Sequence, residues 1–544
     1  MKRTLLAAAS ILLLTACSAE PPAPDTRTRT MPKQDTHTAT AYAASDWTAK
    51  PLPELAESLK AGDISAEALT LAYIERIQAV DQAGPKLQAV LSLNPDAMAQ
   101  ARDLDAKLMA GEPVGLLHGV PILVKDNIET RDQMPTTAGS LALESNFSER
   151  DAPLIAAMRA EGAIILGKTN LSEWANFRSN SSMSGWSGLG GQVRNPHMLD
   201  RNPCGSSSGS GVSAAASLAA GTIGTETNGS IICPSTINGV VGFKPTVGLV
   251  SQEHIVPISS SQDTAGPITK TVEGAALMLT AMATGEAKTD YVAALDMQAL
   301  DGKRIGVLRD AEGDNPHIRA LFEQALKDME TAGATLVDVK GPDLPGEFWG
   351  KSYDVLLYEF KATVNAYLAT TPNTVTHRTL TDLIAFDKEN AATELALFDQ
   401  SIFEAAEAKA GLDSEDYIAA RDFIQTATRE NGIDRMLTEN DVDVLVAPSG
   451  PFAPRVDPVN GDVWPDWPGA GSMAAVAGYP HLTVPMGTYR SLPVGISFIG
   501  GKDQDANILS LGYAYEQLSQ KRAEPQYYQS AEDLPEISTA MNRH

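Results

Sequence analysis

Short apolar runs at 87–93, 120–124, 163–166, 223–225, 304–308, 442–447 and 494–499 are separated by stretches with helical spacing. Runs this short and this apolar suit strands buried on both faces rather than strands with one face in water. Alternation of such strands with helices predicts an α/β chain. The expected form is a single large domain with a central twisted sheet, mixed but mostly parallel, covered by helices on both faces. Leu52, Leu55 and Leu59 share one helical face before Gly62, a helix stop. Ser65 is then a suitable N-cap for a second helix whose Leu69, Tyr73, Ile77 and Val80 align. The stretch 311–436 is mostly helical in pattern and interrupts the strands. The loop 449–472, with Trp464 and Trp467 among several Pro and Gly, is long enough to be functional and reads as a cleft wall, with a surface loop that buries its tryptophans as the alternative.

The 544 residues are 43% hydrophobic and 20% charged, the make-up of a globular protein. A formal net charge of -26 opposes binding to phosphate backbones, so nucleic acid is excluded as a partner. Lys2 and Arg3 precede an apolar core at 5–14 that is too short to span a membrane, and the segment ends Leu14-Thr15-Ala16-Cys17. That ending resembles a bacterial lipoprotein signal. It implies removal of residues 1–16 and lipid on Cys17, with membrane contact through the lipid alone. The location expected is the cell envelope, on the outer membrane facing the periplasm, since Ser18 rather than aspartate follows the cysteine. Residues 17–45 are poor in large apolar side chains and read as a disordered tether, with the folded domain running over 46–540. Cys204 and Cys233 remain after the leader, and the sequence leaves their pairing open.

The densest chemical signal lies between 202 and 246. It reads N-P-C-G-S-S-S-G-S-G at 202–211, a small-residue helix up to Ala220, G-T-E-T-N-G-S-I at 224–231 and N-G-V-V-G-F-K-P-T at 238–246. A flexible Gly/Ser linker has no use for Val212, Ala214, Ala215, Leu218 and Ala219, so a tight corner feeding a packed helix is the better reading. Upstream, G-V-P-I-L-V-K-D-N at 119–127 places Lys125 at the end of an apolar strand, and G-K-T-N-L-S-E-W-A follows at 167–175.

In this order the motifs resemble the signature of the amidase signature family, commonly G-G-S-S-G-G-S followed by G-T-D-x-G-G-S. The resemblance covers almost all of the chain after the leader. It implies a serine amidohydrolase that needs no cofactor and no metal. Lys125 would be the base, Ser206 a bridging serine after a cis peptide bond, and Ser230 the nucleophile that becomes acylated. The gap of 24 positions from Ser206 to Ser230 agrees with the family spacing. The chemistry is coherent, because a serine hydroxyl needs a neighbouring base. A lysine serves only when uncharged, which burial favours, and a hydroxyl relays a proton because it both donates and accepts. The N–H groups of Thr227, Asn228, Gly229 and Ser230 are the candidate oxyanion donors, since glycine and asparagine tolerate the dihedrals that make successive N–H groups converge. The chain departs from the common pattern at Glu226 for Asp, at Asn228 for Gly, and at Ile232 where many members carry Arg. Losing that arginine disfavours small acidic substrates.

Further similarity, at Leu356-Leu357-Tyr358-Glu359-Phe360-Lys361-Ala362 and at D-L-I-A-F over 382–386, implies the peptide-amidase branch, which removes C-terminal amides of peptides. The substrate expected is a peptide amide, with aryl or other small carboxamides as the alternative, and the enzyme a monomer, a dimer being left open. A binding lipoprotein that keeps the fold but is catalytically silent is the alternative of a different class. A role as part of a tRNA-dependent amidotransferase is disfavoured by the lipid anchor. Gly205-Ser206-Ser207-Ser208-Gly209 also fits the G-x-S-x-G elbow of α/β-hydrolases. No strand precedes it in the sequence pattern, however, and His481 and His544 are the only late histidines.

Overall fold

In the computed structural model, which describes residues 42–286 and 288–541, eleven strands form one sheet. The first six are β1 (Val90–Leu93), β2 (Pro121–Lys125), β3 (Ile164–Thr169), β4 (Gly221–Glu226), β5 (Val241–Lys244) and β6 (Thr264–Thr269). The others are β7 (Arg304–Leu308), β8 (Thr335–Val339), β9 (Val444–Pro448), β10 (His481–Tyr489) and β11 (Leu492–Ile499). Across the sheet they run β1-β3-β2-β4-β6-β5-β10-β11-β9-β7-β8. Parallel pairing occurs in two blocks, β3-β2-β4 and β9-β7-β8. Antiparallel ladders join those blocks through the centre, and β1 adds an antiparallel edge.

Each predicted apolar run overlaps one of these strands. The other four strands lie outside those runs for physical reasons. β6 is T-A-G-P-I-T, with too few large apolar side chains to register. β10 contains Pro485 and Gly487 at a register shift against β11, and a bulge hides the strand pattern. β5 lies inside a motif read for its glycines. β8 is an edge strand, exposed at Asp338, and falls within the stretch expected to be helical. The stretch 311–436 is mostly helical as expected, its helices including Pro316–Thr331, Phe348–Ala369, Leu380–Glu389 and Glu415–Thr428, but it also contributes β8 to the sheet.

Helix Leu52–Ala61 ends at Gly62 in the left-handed region (φ 78°), and the Ala68 N–H donates to Ser65 Oγ at 3.0 Å to cap the next helix. Leu69, Tyr73, Ile77 and Val80 are buried in the core that packs on β2, β3 and β4. Each such side chain contributes roughly 1.5–3 kcal/mol by leaving water. The small-residue helix is shorter than expected, Ser208–Ala215, and residues 216–220 turn into β4. Every residue of this helix is buried, which explains its composition. At Gly209 an added Cβ would sit 2.3 Å from Ala89 O and 2.4 Å from Asn170 O. Order also begins before Asp46, since the Tyr42 ring packs edge-on against Tyr527 and the Arg76 guanidinium donates to Tyr42 O. The leader 1–16, Cys17, the tether as far as residue 41, and His544 lie outside the described residues. No helix among the described residues is long and apolar enough to cross a membrane.

Candidate active site

β2 and β4 pair in parallel, Val124 opposite Ile223, so their carboxyl ends lie side by side. In open α/β sheets that edge is where ligands bind. Lys125, the last residue of β2, is fully buried there. Its Nζ donates to Ser206 Oγ at 2.7 Å, to Thr225 Oγ1 at 2.8 Å and, at 3.3 Å, to Thr225 O. Asn127 Nδ2 donates to the same Thr225 hydroxyl at 2.9 Å and fixes it. When the amine is uncharged, the two Thr225 acceptors take its N–H bonds and the 2.7 Å contact reverses, with the Ser206 hydroxyl donating to the nitrogen lone pair. Burial lowers the Lys125 pKa to about 7, against the pull of the Asp263 and Glu226 carboxylates, which raise it.

Ser206 follows a cis peptide bond from Gly205, as the resemblance implied. The segment around it is stitched in place. Ser172 N–H donates to Ser206 O at 3.1 Å, while Ser207 Oγ donates to Thr225 O at 3.0 Å and accepts from Thr225 N at 3.2 Å. Ser207 N–H donates to Ser230 O at 3.2 Å, which brings Ser230, half-buried, beside the 206–207 turn. Cys204 and Cys233, whose pairing the sequence leaves open, form a disulfide with Cα atoms 5.9 Å apart. It ties the approach to Ser206 to the helix Ile232–Ile237 that follows Ser230.

Residues 227–230 form an irregular turn, with Gly229 at φ 81°. Among the described residues the N–H groups of Thr227, Asn228, Gly229 and Ser230 donate to no other backbone carbonyl. Glu226, the first departure, is buried, and one carboxylate oxygen accepts from Ile231 N at 2.8 Å and Ile232 N at 3.0 Å, holding the far side of the turn. Asn228, the second departure, is exposed and its Oδ1 accepts from Ser472 Oγ at 3.1 Å. Ile232, the third, is buried at a cavity lining, where it presents an apolar side chain in place of an arginine.

Two cavities meet at this segment. One, about 340 Å³, takes in Ser206 and Thr227 and is walled by Ile255, Val256, Ile258 and Tyr367. The other, about 420 Å³, takes in Gly205, Asn228 and Gly229 and is walled by Asp462, Trp464 and Trp467. The loop 449–472 is therefore a cleft wall, as expected. Neither lining includes a lysine or arginine. The elbow alternative has no strand ahead of Gly205, and His481 is buried within β10, bonded to Ser497 Oγ at 2.7 Å, with burial lowering its pKa to about 3. Sequence reasoning missed Thr225, Asn127, Gln262 and Asp263. Thr225 and Asn127 stand inside quoted motifs, and the next two precede the unrecognised β6.

Residues 68–509 match the amidase family profile. The chain belongs to the amidase family. This amidase is similar in structure to a native peptide amidase from Stenotrophomonas maltophilia, with a TM-score of 0.83 and 45% identity, covering 88% of this chain and 99% of that one. It is also similar to an amidase family protein from Bacillus anthracis, with a TM-score of 0.79 and 32% identity, covering 91% of this chain and 95% of that one. In sequence it is 36% identical over 479 residues to a probable amidase of Arabidopsis thaliana, covering 83% of this chain and 87% of the relative. The amidase is thus a hydrolase of carboxamides built on the family's α/β fold.

Proposed function

We propose that Ser230 attacks the carbonyl of a C-terminal peptide amide, forms an acyl-enzyme with release of ammonia, and is freed by water. Ser206 takes the Ser230 proton as it passes its own to uncharged Lys125, and Lys125 returns a proton to the leaving nitrogen. The N–H groups of 227–230 receive the negative charge on the carbonyl oxygen. The observation that carries this reading is the Lys125 amine, buried without a carboxylate contact and 2.7 Å from Ser206 Oγ. The peptide-amide substrate is supported by the 45% identity to a peptide amidase. Linings without lysine or arginine also favour a neutral terminus over a carboxylate. Ser230→Ala should lower turnover of an N-acetylated dipeptide amide by about 10⁴-fold or more. Near-wild-type ammonia release by that variant, or turnover of anilides alone by the wild type, would contradict the mechanism or the substrate respectively.

The same reading includes export and lipid attachment at Cys17, with the enzyme held on the outer membrane facing the periplasm. The Cys204–Cys233 disulfide supports this, because such bonds persist in oxidising compartments.

A further inference from the structure

The turn 258–263 closes the first cavity and is gripped from two directions. Glu359, buried on helix Phe348–Ala369, bonds the Ser259 hydroxyl and accepts from Ser261 N at 3.1 Å and Ser261 Oγ at 3.0 Å. Tyr417 OH donates to the other Glu359 oxygen at 2.7 Å. From within the turn, Asp263 accepts from Ile258 N at 2.8 Å and Ser259 N at 2.9 Å on one oxygen. Its other oxygen accepts from Thr227 Oγ1 at 2.6 Å. The neighbouring Gln262 Nε2 donates to Thr227 O at 3.2 Å. Thr227 is therefore held at its hydroxyl by Asp263, which lines the cavity, and at its carbonyl by the buried Gln262 beside it. A peptide unit is planar, so fixing the Thr227 carbonyl also fixes the direction of the Asn228 N–H.

We propose that Asp263, with Gln262, is a positioning residue that couples the wall of the first cavity to the oxyanion donors, so that a substrate group seated against Ile258 sets the geometry in which negative charge is received. This rests on the assignment of 227–230 as the oxyanion site. The coupling reaches further, because Glu359 links the same turn to the helical segment that resembles peptide amidases at 356–362. Two carboxylates face Lys125 electrostatically, Asp263 and Glu226, and Asp263 is itself faced by Glu359. Burial raises the Asp263 pKa to about 6, so near neutral pH its charge supports protonation of Lys125.

The test compares Thr227→Val, Thr227→Ser and Asp263→Asn on an N-acetylated dipeptide amide with ammonia detection. Thr227→Val removes only the hydroxyl that Asp263 holds, and kcat should fall about tenfold or more with KM changed less than about threefold. Thr227→Ser keeps the hydroxyl and should recover most of that loss. Asp263→Asn keeps the hydrogen-bonding shape without the charge, and its acid limb should move to lower pH, a shift that a purely structural role does not produce. Wild-type kcat in Thr227→Val, or an unmoved acid limb in Asp263→Asn, overturns the coupling while leaving the hydrolytic mechanism intact. A wild-type enzyme that releases no ammonia from any amide overturns both.

Discussion

Lys125 illustrates how a residue can be costly and necessary at once. Its amine is buried, and its pKa of about 7 lies well below the ordinary 10.5. Between those two values the unfolded chain binds a proton that the folded one does not, so stability rises with pH across that interval and the full penalty stands below it. Lys125→Met should therefore abolish turnover yet raise the melting temperature at pH 7, and flatten its dependence on pH between about 7 and 10. A destabilised Lys125→Met, measured by calorimetry across that range, would show that the lysine's hydrogen bonds outweigh its desolvation. In the wild type, kcat/KM should fall as pH drops through about 7, because protonated Lys125 accepts nothing. Lys125, Ser206 and Ser230 were legible because their motifs are local. Asp263 and Gln262 were not, since their importance comes from a contact with Thr227 across 35 or more positions that no local pattern reveals.

Helix Ser208–Ala215 and the disulfide carry the site at the level of elements. Gly209→Ala should destabilise the protein by several kcal/mol, because the new methyl meets two backbone carbonyl oxygens that belong to other segments and cannot swing aside. Chemical denaturation measures this, and a change below about 0.5 kcal/mol would mean that the helix shifts freely. The Cys204–Cys233 bond closes a loop with a sequence separation of 29, for which chain entropy gives about 3–4 kcal/mol. Replacing both cysteines by serine should lower stability by that order and reduce kcat, since the bond ties the two segments that present Ser206 and Ser230. The strands β2, β3, β4, β7, β9 and β11 were visible as apolar runs because they are buried on both faces. β6 and β10 stayed hidden because proline and glycine replace the side chains that make a strand recognisable, and neighbouring ladders supply what propensity does not.

As a whole molecule, the fold brings together segments separated by hundreds of residues: Asn127 just past β2, the 202–231 corner, the 258–263 turn and the 449–472 loop line two cavities that meet at one place. The α/β class followed from alternation, but the order of strands across the sheet could not, because the centre is built from the strands with the weakest patterns. If Cys17 carries lipid, Cys17→Ser should release the enzyme from the membrane fraction with its activity unchanged, and continued sedimentation with membranes would contradict the anchor. The chemistry itself is best examined with a fluorophosphonate, which modifies an activated serine without needing a known substrate. Peptide mapping by mass spectrometry should locate a single adduct on Ser230, formed at a rate that climbs through pH 7 and is lost in Lys125→Ala. An adduct on another residue, or equal labelling in Lys125→Ala, would contradict the relay from Ser230 through Ser206 to an uncharged lysine.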